Sequence, residues 1–420
     1  MKRMLSMLLV LVVALLAAVP AMAEEPVKIT VATIRIDEGS TAAYDWVVEQ
    51  MKERYNIECE VIPYAGYYDQ IKMAFEAGEI PTLVYVDDLW QQTFQKYGYF
   101  QDITSYVEEY GWLDKAVPGA IEFNNNRTPG QFYSVGTLMA PVVVYYNVDI
   151  FSELGLEEPK TYEELKEIMA KLKDAGYYSF EFNSDMFGIW WAMSSMIFTS
   201  CGMEDVNKWY YLEETTDAFK DALTFAANEV CEWRDSGYIR EEILGVDGTT
   251  LIPMFSMGES AMFMTGDWDL ASLEATGLNL DTFVFPAVNP DLPLYSVNAT
   301  DGAWAVTTSA SEAETDAAMK FIDLFFEQPE VELWVKAGFT PAVDWDPTQM
   351  ELSPLKEDMM ESVEGVGVGF YMDNAAPGMY DVASKTLQRL IGREVTAEEY
   401  VDELLSAYEE CKANYLSTVE

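Results

Sequence analysis

The period of the apolar positions changes repeatedly between residues 27 and 86. Over residues 27–33 the larger apolar side chains fall at every second position among β-branched neighbours, which predicts a strand. Tyr44, Val47, Val48, Met51 and Tyr55 then recur at spacings of three and four, the stripe of an amphipathic helix. Ile57, Cys59 and Val61 alternate as a second strand. Tyr68, Ile71 and Phe75 mark a second helix that Gly78 ends, and Pro81 precedes a third strand over residues 82–86. Strand, helix, strand, helix, strand at this spacing predicts right-handed crossovers and a parallel sheet.

Later helices carry start signals. Thr161 and Glu164 form a capping box ahead of the stripe Leu165, Ile168, Met169 and Leu172, which Gly176 stops. Ser311 and Glu314 repeat the device before Ala318, Phe321, Ile322 and Phe325, with Pro329 closing that helix. Thr396 and Glu399 do so again before Tyr400, Leu404 and Tyr408. Apolar strands are expected at residues 142–146, 261–264 and 303–306. Gly365-Val366-Gly367-Val368-Gly369 lacks the strand before it and the Lys-Ser/Thr or helix after it that a phosphate-cradling loop needs, so it reads as a flexible connection. With no internal repeat, low-complexity tract or long linker, the fold class is α/β throughout.

The first residues break this pattern. Lys2 and Arg3, an apolar run over residues 8–16, then Pro20 and the small-x-small Ala21-Met22-Ala23 have the layout of a cleaved secretory signal over residues 1–23. Its apolar core is shorter than the roughly 20 residues of a spanning helix, and no later stretch is long and apolar enough to span a bilayer. No cysteine lies near the cut. The expectation is a soluble exported chain, periplasmic or extracellular, monomeric, with neither stable membrane insertion nor a lipid anchor.

Composition narrows the chemistry. Half of the residues are hydrophobic, enough for a large core. The formal charge is −47, and near −49 without Lys2 and Arg3. Such a surface repels phosphate backbones, which disfavours nucleic acid as partner and, less strongly, phosphate or sulfate as ligand. The absence of histidine removes Ser-His-Asp and Cys-His mechanisms and every His-ligated metal site. No cofactor or metal is expected, and much catalytic chemistry is removed. Cys59, Cys201, Cys231 and Cys411 contain no C-x-x-C pair. An oxidising compartment permits disulfides, Cys201 and Cys231 being closest in sequence, and buried free thiols are the equal alternative.

Four groups of segments then stand in a familiar order. Residues 77–87 pair Gly78 and Pro81 with an apolar strand ending in Asp87, with Thr82 where an Asp is usual. Tyr145-Tyr146-Asn147-Val148-Asp149-Ile150-Phe151 leads to Gly155-Leu156 and Pro159-Lys160-Thr161-Tyr162-Glu163-Glu164-Leu165. Met257-Gly258-Glu259-Ser260-Ala261-Met262 leads to Gly266-Asp267-Trp268. Gly302-Ala303-Trp304-Ala305-Val306 is followed by the helix over residues 317–322 and by Gly338-Phe339-Thr340-Pro341. In this order they resemble the extracellular solute-binding proteins of ABC importers, specifically the family-1 sugar-binding type related to maltose-binding protein. The resemblance implies a two-lobed periplasmic-binding-protein-like fold of type II, with the lobes joined by hinge crossovers. Residues 24–140 plus 303–345 would form the first lobe, and 141–302 plus 346–420 the second. It further implies a small-molecule sugar enclosed between the lobes and delivered to the transmembrane subunits of an ABC permease.

A sugar needs partners for its hydroxyls and flat apolar rings for its C–H faces, so carboxylates or amides beside aromatics are the candidates. The resemblance places Trp268 under a sugar ring, with Asp267 beside it. Asp87 and Asp88 end the third strand, where acids of the family accept sugar hydroxyls, and Trp90 follows. Trp190 and Trp191 stand where relatives place an aromatic from the second lobe; neighbours point differently, so one is expected in the cleft and the other buried. Tyr380 holds another aromatic position of the family, with Tyr371, near Asp373 and Asn374, as a rival. Asp301 precedes Gly302 at the expected hinge, and Asp37 lies in the turn over residues 35–40. Two other readings stay open. A secreted glycoside hydrolase would use paired carboxylates. The same fold with Asp37, Asp87, Asp88, Asp267 and Asp301 in its cleft would hold a polyamine or another cation against tryptophan faces.

Overall fold

The computed structural model describes residues 26–419 apart from 35–37, 65, 66, 126, 129 and 301. The expected signal over residues 1–23, Asp37 and Asp301 therefore lie outside the described residues. Twelve described strands run, in chain order, as β1 Val27–Thr33, β2 Ile57–Pro63, β3 Leu83–Val86, β4 Val135–Gly136, β5 Leu138–Asn147 and β6 Tyr178–Glu181. Then follow β7 Ser260–Gly266, β8 Leu280–Phe283, β9 Tyr295–Thr300, β10 Ala303–Val306, β11 Thr340–Pro341 and β12 Gly367–Gly369.

They form two sheets. The first has the order β2-β1-β3-β10-β4, and the second β12-β9-β5-β7-β6, with β8 and β11 also pairing with β5. β1 pairs in parallel with β2 and β3, as the alternation of strand and helix dictates. β10 enters antiparallel between β3 and β4, so the first sheet is mixed and not purely parallel. Each sheet has its own core. One collects Ile29, Val31, Val84, Trp304, Phe321 and Trp334; the other collects Val144, Met169, Met193, Trp233, Leu387 and Tyr408. This is a two-lobed α/β architecture.

The chain passes between the sheets at three neighbouring places. Thr137, between β4 and β5, donates from both its N–H and its hydroxyl to the carbonyl of Gly302, at 2.9 and 2.8 Å. Ala342, just after β11, donates to the carbonyl of Thr137 at 2.9 Å. Gly302 has φ +119°, and a β-carbon there would lie 2.9 Å from the Tyr85 hydroxyl, so this crossover requires glycine.

Local signals place the helices well. Tyr162–Ala175 begins on the Thr161/Glu164 capping box and ends on Gly176 at φ +93°; Glu312–Leu324 begins on Ser311 and Glu314. Thr396 and Glu399 exchange the same pair of bonds at the start of Ala397–Val419. Pro329 does not close the preceding helix. It stands in the first turn of Gln328–Lys336, where its missing N–H costs nothing. Nor are residues 365–369 simply a loop: Gly367–Gly369 is strand β12, parallel to β9. A β-carbon at Gly367 would lie 2.4 Å from the ring of Tyr295, and one at Gly369 would lie 2.3 Å from the ring of Phe198. These glycines admit aromatic rings onto the strand face. All four cysteines are free thiols, and burial pushes those of Cys59 and Cys201 up to about 12.

Candidate functional site

β7 is buried along its whole length and delivers Gly266 to the boundary between the lobes. There the chain turns through the short helix Asp267–Asp269. Trp268, in the middle of this turn, is half-buried and packs against both cores. Its ring folds back over Gly266: a β-carbon there would lie 2.1 Å from Trp268 Cζ3. Glycine at this strand end is what lets the indole lie flat against the backbone.

Four further rings continue from it. Trp191 meets Trp268 edge to face, with ring centres 5.6 Å apart, and stacks on Phe187 at 5.8 Å. Tyr371 lies 6.4 Å from Trp191, and Tyr380 lies 5.7 Å from Phe187. Phe187 and Trp191 are one helical turn apart on Phe187–Cys201 and share a face. Trp191, Trp268 and Phe187 wall a pocket of about 150 Å³ whose polar groups come from Asn183, Thr265 and Asp269. Asn183 donates to the Asp185 carboxylate at 3.0 Å, and Thr265 donates to Asp269 at 2.6 Å. Gly248 closes another side, where a β-carbon would lie 2.9 Å from Asp185.

Carboxylates gather round these rings. Burial, then Asp373, Asp185, Asp381 and Asp87, push the Tyr380 hydroxyl well above the usual phenol range. Asp87 belongs to the first lobe and the others to the second, so Tyr380 feels charge from both sides of the boundary. Asp185 remains open to solvent. Its carboxyl is raised by partial burial and by Asp247, against the amide of Asn183.

Of the sequence candidates, Trp191, Trp268, Tyr371 and Tyr380 come together in this cluster, and Asp87 lies within electrostatic reach. The Asp87 carboxylate caps the helix Asp88–Lys96, accepting from the Trp90 N–H at 2.8 Å. Trp90 is half-buried at the same strand end and packs on Phe94 at 5.5 Å. Asp88 opens that helix; its side chain is outside the described residues, as are Asp37 and Asp301. Two candidates stand elsewhere. Trp190 is 2% exposed and packs in the second core near Tyr400, because consecutive helical residues point about 100° apart. Asp267 is 1% exposed and turned inward, accepting from Thr340 at 2.6 Å and lying 3.5 Å from the Lys356 ammonium. It supports the turn from behind. Sequence reasoning passed over Phe187, Asn183, Asp185, Thr265 and Asp269. The polar triplet Asn183-Ser184-Asp185 just beyond β6 was the available signal for two of them.

Comparison with known proteins agrees with the two-lobed fold. The family model for bacterial extracellular solute-binding proteins matches residues 35–331. The chain is 25% identical over 281 residues to the maltotriose-binding protein of Pyrococcus abyssi (strain GE5 / Orsay), a stretch covering 65% of this chain and 57% of that relative. The match thus spans little more than half of the relative's own length. Among solved structures, the chain is similar to a chitin oligosaccharide binding protein, with a TM-score of 0.81 at 19% identity over 93% of this chain and 100% of that one. It is also similar to the bacterial solute receptor AcbH, with a TM-score of 0.76 at 18% identity over 92% and 99% of the two chains. At these identities the structural likeness speaks for the fold. A family match across most of the chain, on this two-lobed fold, settles the assignment: the protein belongs to the bacterial extracellular solute-binding protein family.

Proposed function

We propose that this protein captures a small carbohydrate between its two lobes and delivers it to the membrane permease of an ABC importer. The observation that carries the reading is the edge-to-face pair of Trp191 and Trp268 at the lobe boundary, where flat apolar faces stand beside Asn183, Thr265 and Asp269. Rings supply platforms for C–H faces, and carboxylates and amides accept and donate to hydroxyls. The printed names of the relatives support the same class: a maltotriose-binding protein, a chitin oligosaccharide binding protein and a receptor with an exclusive preference for β-D-galactopyranose. The walled pocket is smaller than the roughly 300–1,000 Å³ of complete small-ligand sites. It therefore seats one end of the ligand, and the remainder extends toward Tyr371, Tyr380 and Asp87.

The proposal includes the division of the chain into residues 24–140 plus 303–345 and 141–302 plus 346–420, supported by the separate cores. It also includes export on a signal over residues 1–23, and a soluble monomer; no described helix is long and apolar enough to cross a membrane. The ligand, by touching both lobes, favours the closed state in proportion to its differential affinity, and the permease reads that state. A thermal-shift screen of neutral mono- and oligosaccharides with spermidine alongside tests the ligand class. A sugar that raises the melting midpoint with RT ln(1 + [L]/Kd) dependence is the expected outcome. A response to spermidine alone replaces the sugar with a cation, and hydrolysis of an oligosaccharide at enzyme-like rates ends the binding-protein reading.

A further inference from the structure

Lys356 stands in the first turn of the helix Pro354–Ser362 and is 1% exposed. Its ammonium meets three oxygens from two distant stretches of chain. It donates to the carbonyl of Gly338 at 2.8 Å and to the hydroxyl of Thr340 at 2.8 Å, and lies 3.5 Å from Asp267 Oδ2. The Thr340 hydroxyl donates in turn to the same carboxylate oxygen at 2.6 Å. Burial lowers the pKa of this ammonium, and Asp267 opposes that effect. A charge this deep costs several kcal/mol unless it is paired and hydrogen-bonded, as it is here. Methionine or leucine would fill the same space, so the ammonium does something that volume alone does not.

The two stretches it joins are informative. Residues 338–341 form the third crossover between the lobes, with Thr340 and Pro341 pairing with Met139 and Leu138 of β5. Gly338 rests on the turn that carries Trp268: its backbone has φ +97°, and a β-carbon there would sit 3.6 Å from the Asp267 carbonyl and from Leu270 Cβ. Asp267 immediately precedes the pocket wall.

We propose that Lys356 is a positioning residue. By binding the Asp267 carboxylate and the crossover at Gly338 and Thr340 together, it fixes the Asp267–Asp269 turn and so the place of the Trp268 ring. The role in ligand affinity rests on the reading of Trp268 as a wall of the sugar site; the role in ring placement does not.

The test separates the two. Protein labelled with 5-fluorotryptophan gives fluorine resonances, and loss of one in Trp268→Phe assigns Trp268. In ligand-free Lys356→Met the Trp268 resonance shifts or broadens, while core tryptophans such as Trp112 and Trp209 keep theirs. Affinity for the sugar with the largest thermal shift falls about tenfold or more. Lys356→Arg, which keeps a donor and a charge, restores the resonance toward its parent position. If Lys356→Met does not fold, Thr340→Val serves instead, since it removes the bridging hydroxyl and leaves both charges paired. A Trp268 resonance that coincides with the parent's in the folded variants overturns the proposal. A displaced resonance in a protein that binds no sugar leaves the positioning role standing and removes the sugar reading.

Discussion

Replacing Gly266 with alanine tests the site through a single methyl group. The added carbon would lie 2.1 Å from Trp268 Cζ3 and 2.4 Å from Cε3 and Cη2. Favourable carbon contacts lie at about 3.5–4.0 Å, so the indole must retreat by about 1.5 Å. The backbone cannot share the strain usefully, because Gly266 is extended, with φ −90° and ψ 179°, a conformation alanine adopts freely. Its register opposite Val142 is equally undemanding. The strand therefore keeps its geometry and the ring moves. A fully buried aromatic side chain contributes about 1.5–3 kcal/mol from area alone. Loss of that contact weakens binding about 10- to 100-fold, at roughly 1.4 kcal/mol per decade. Titration calorimetry with the sugar selected by thermal shift measures the change, and Trp268→Ala, with the fold intact, sets its upper limit. A displaced Trp268 ring with unchanged affinity refutes the reasoning, because the ring would then be lobe packing and not a platform.

Other consequences follow from neighbouring features. Trp190→Ala empties a core site and costs about 3–5 kcal/mol in denaturant unfolding, whereas Trp191→Ala weakens sugar binding and changes stability far less; equal effects of the two would contradict the split between core and pocket. Glu330 is fully buried, accepts from the Trp334 indole N–H at 2.7 Å, and burial holds its carboxyl well above the ordinary value of 4.5. The folded state thus keeps a proton that the unfolded chain releases above 4.5, and stability falls as pH rises from there toward the folded value. Glu330→Gln should melt close to the parent at about pH 4 and above it at about pH 7; a constant difference across that range argues against a retained proton. The thiols of Cys59 and Cys201, pushed up to about 12, should resist a thiol reagent at mildly alkaline pH in the native protein and react on unfolding. Fast native reaction would show both thiols to be open to solvent.

Features written in local pattern were legible in the sequence. The alternation over residues 27–33 became β1, and the Thr161 and Ser311 capping boxes opened their helices as expected. Features decided by distant partners were not. Val84 pairs with Ala305, and nothing near either residue announces an antiparallel strand arriving beside a parallel one. Gly367 and Gly369 read as loop residues because the rings of Tyr295 and Phe198 that need their bareness are remote in sequence. Within the candidate site, the aromatics at Trp268 and Tyr380 were visible by resemblance and Tyr371 as a nearby rival, and neighbouring side chains such as Trp190 and Trp191 had to diverge. Which of them faces the pocket depends on Tyr400, Phe187 and the placement of the whole helix. An aspartate at a strand end looks the same whether it meets a ligand or a buried lysine, and Asp267 has Lys356.

The place of β10 also has a consequence for the order in which the molecule assembles. It fills the gap between β3 and β4, yet it leaves a ribosome after β5 to β9, the strands of the other sheet from Leu138 to Thr300. Until then β3, with all four residues apolar and destined for burial, has one unpaired edge. A fragment ending near residue 140 would carry that edge permanently and should aggregate, whereas the growing full-length chain closes it as soon as Ala303–Val306 arrives. Pairing across so long a separation is slow, so the first lobe, although its opening strands are made first, completes its sheet only after strands β5 to β9 of the other sheet have been made.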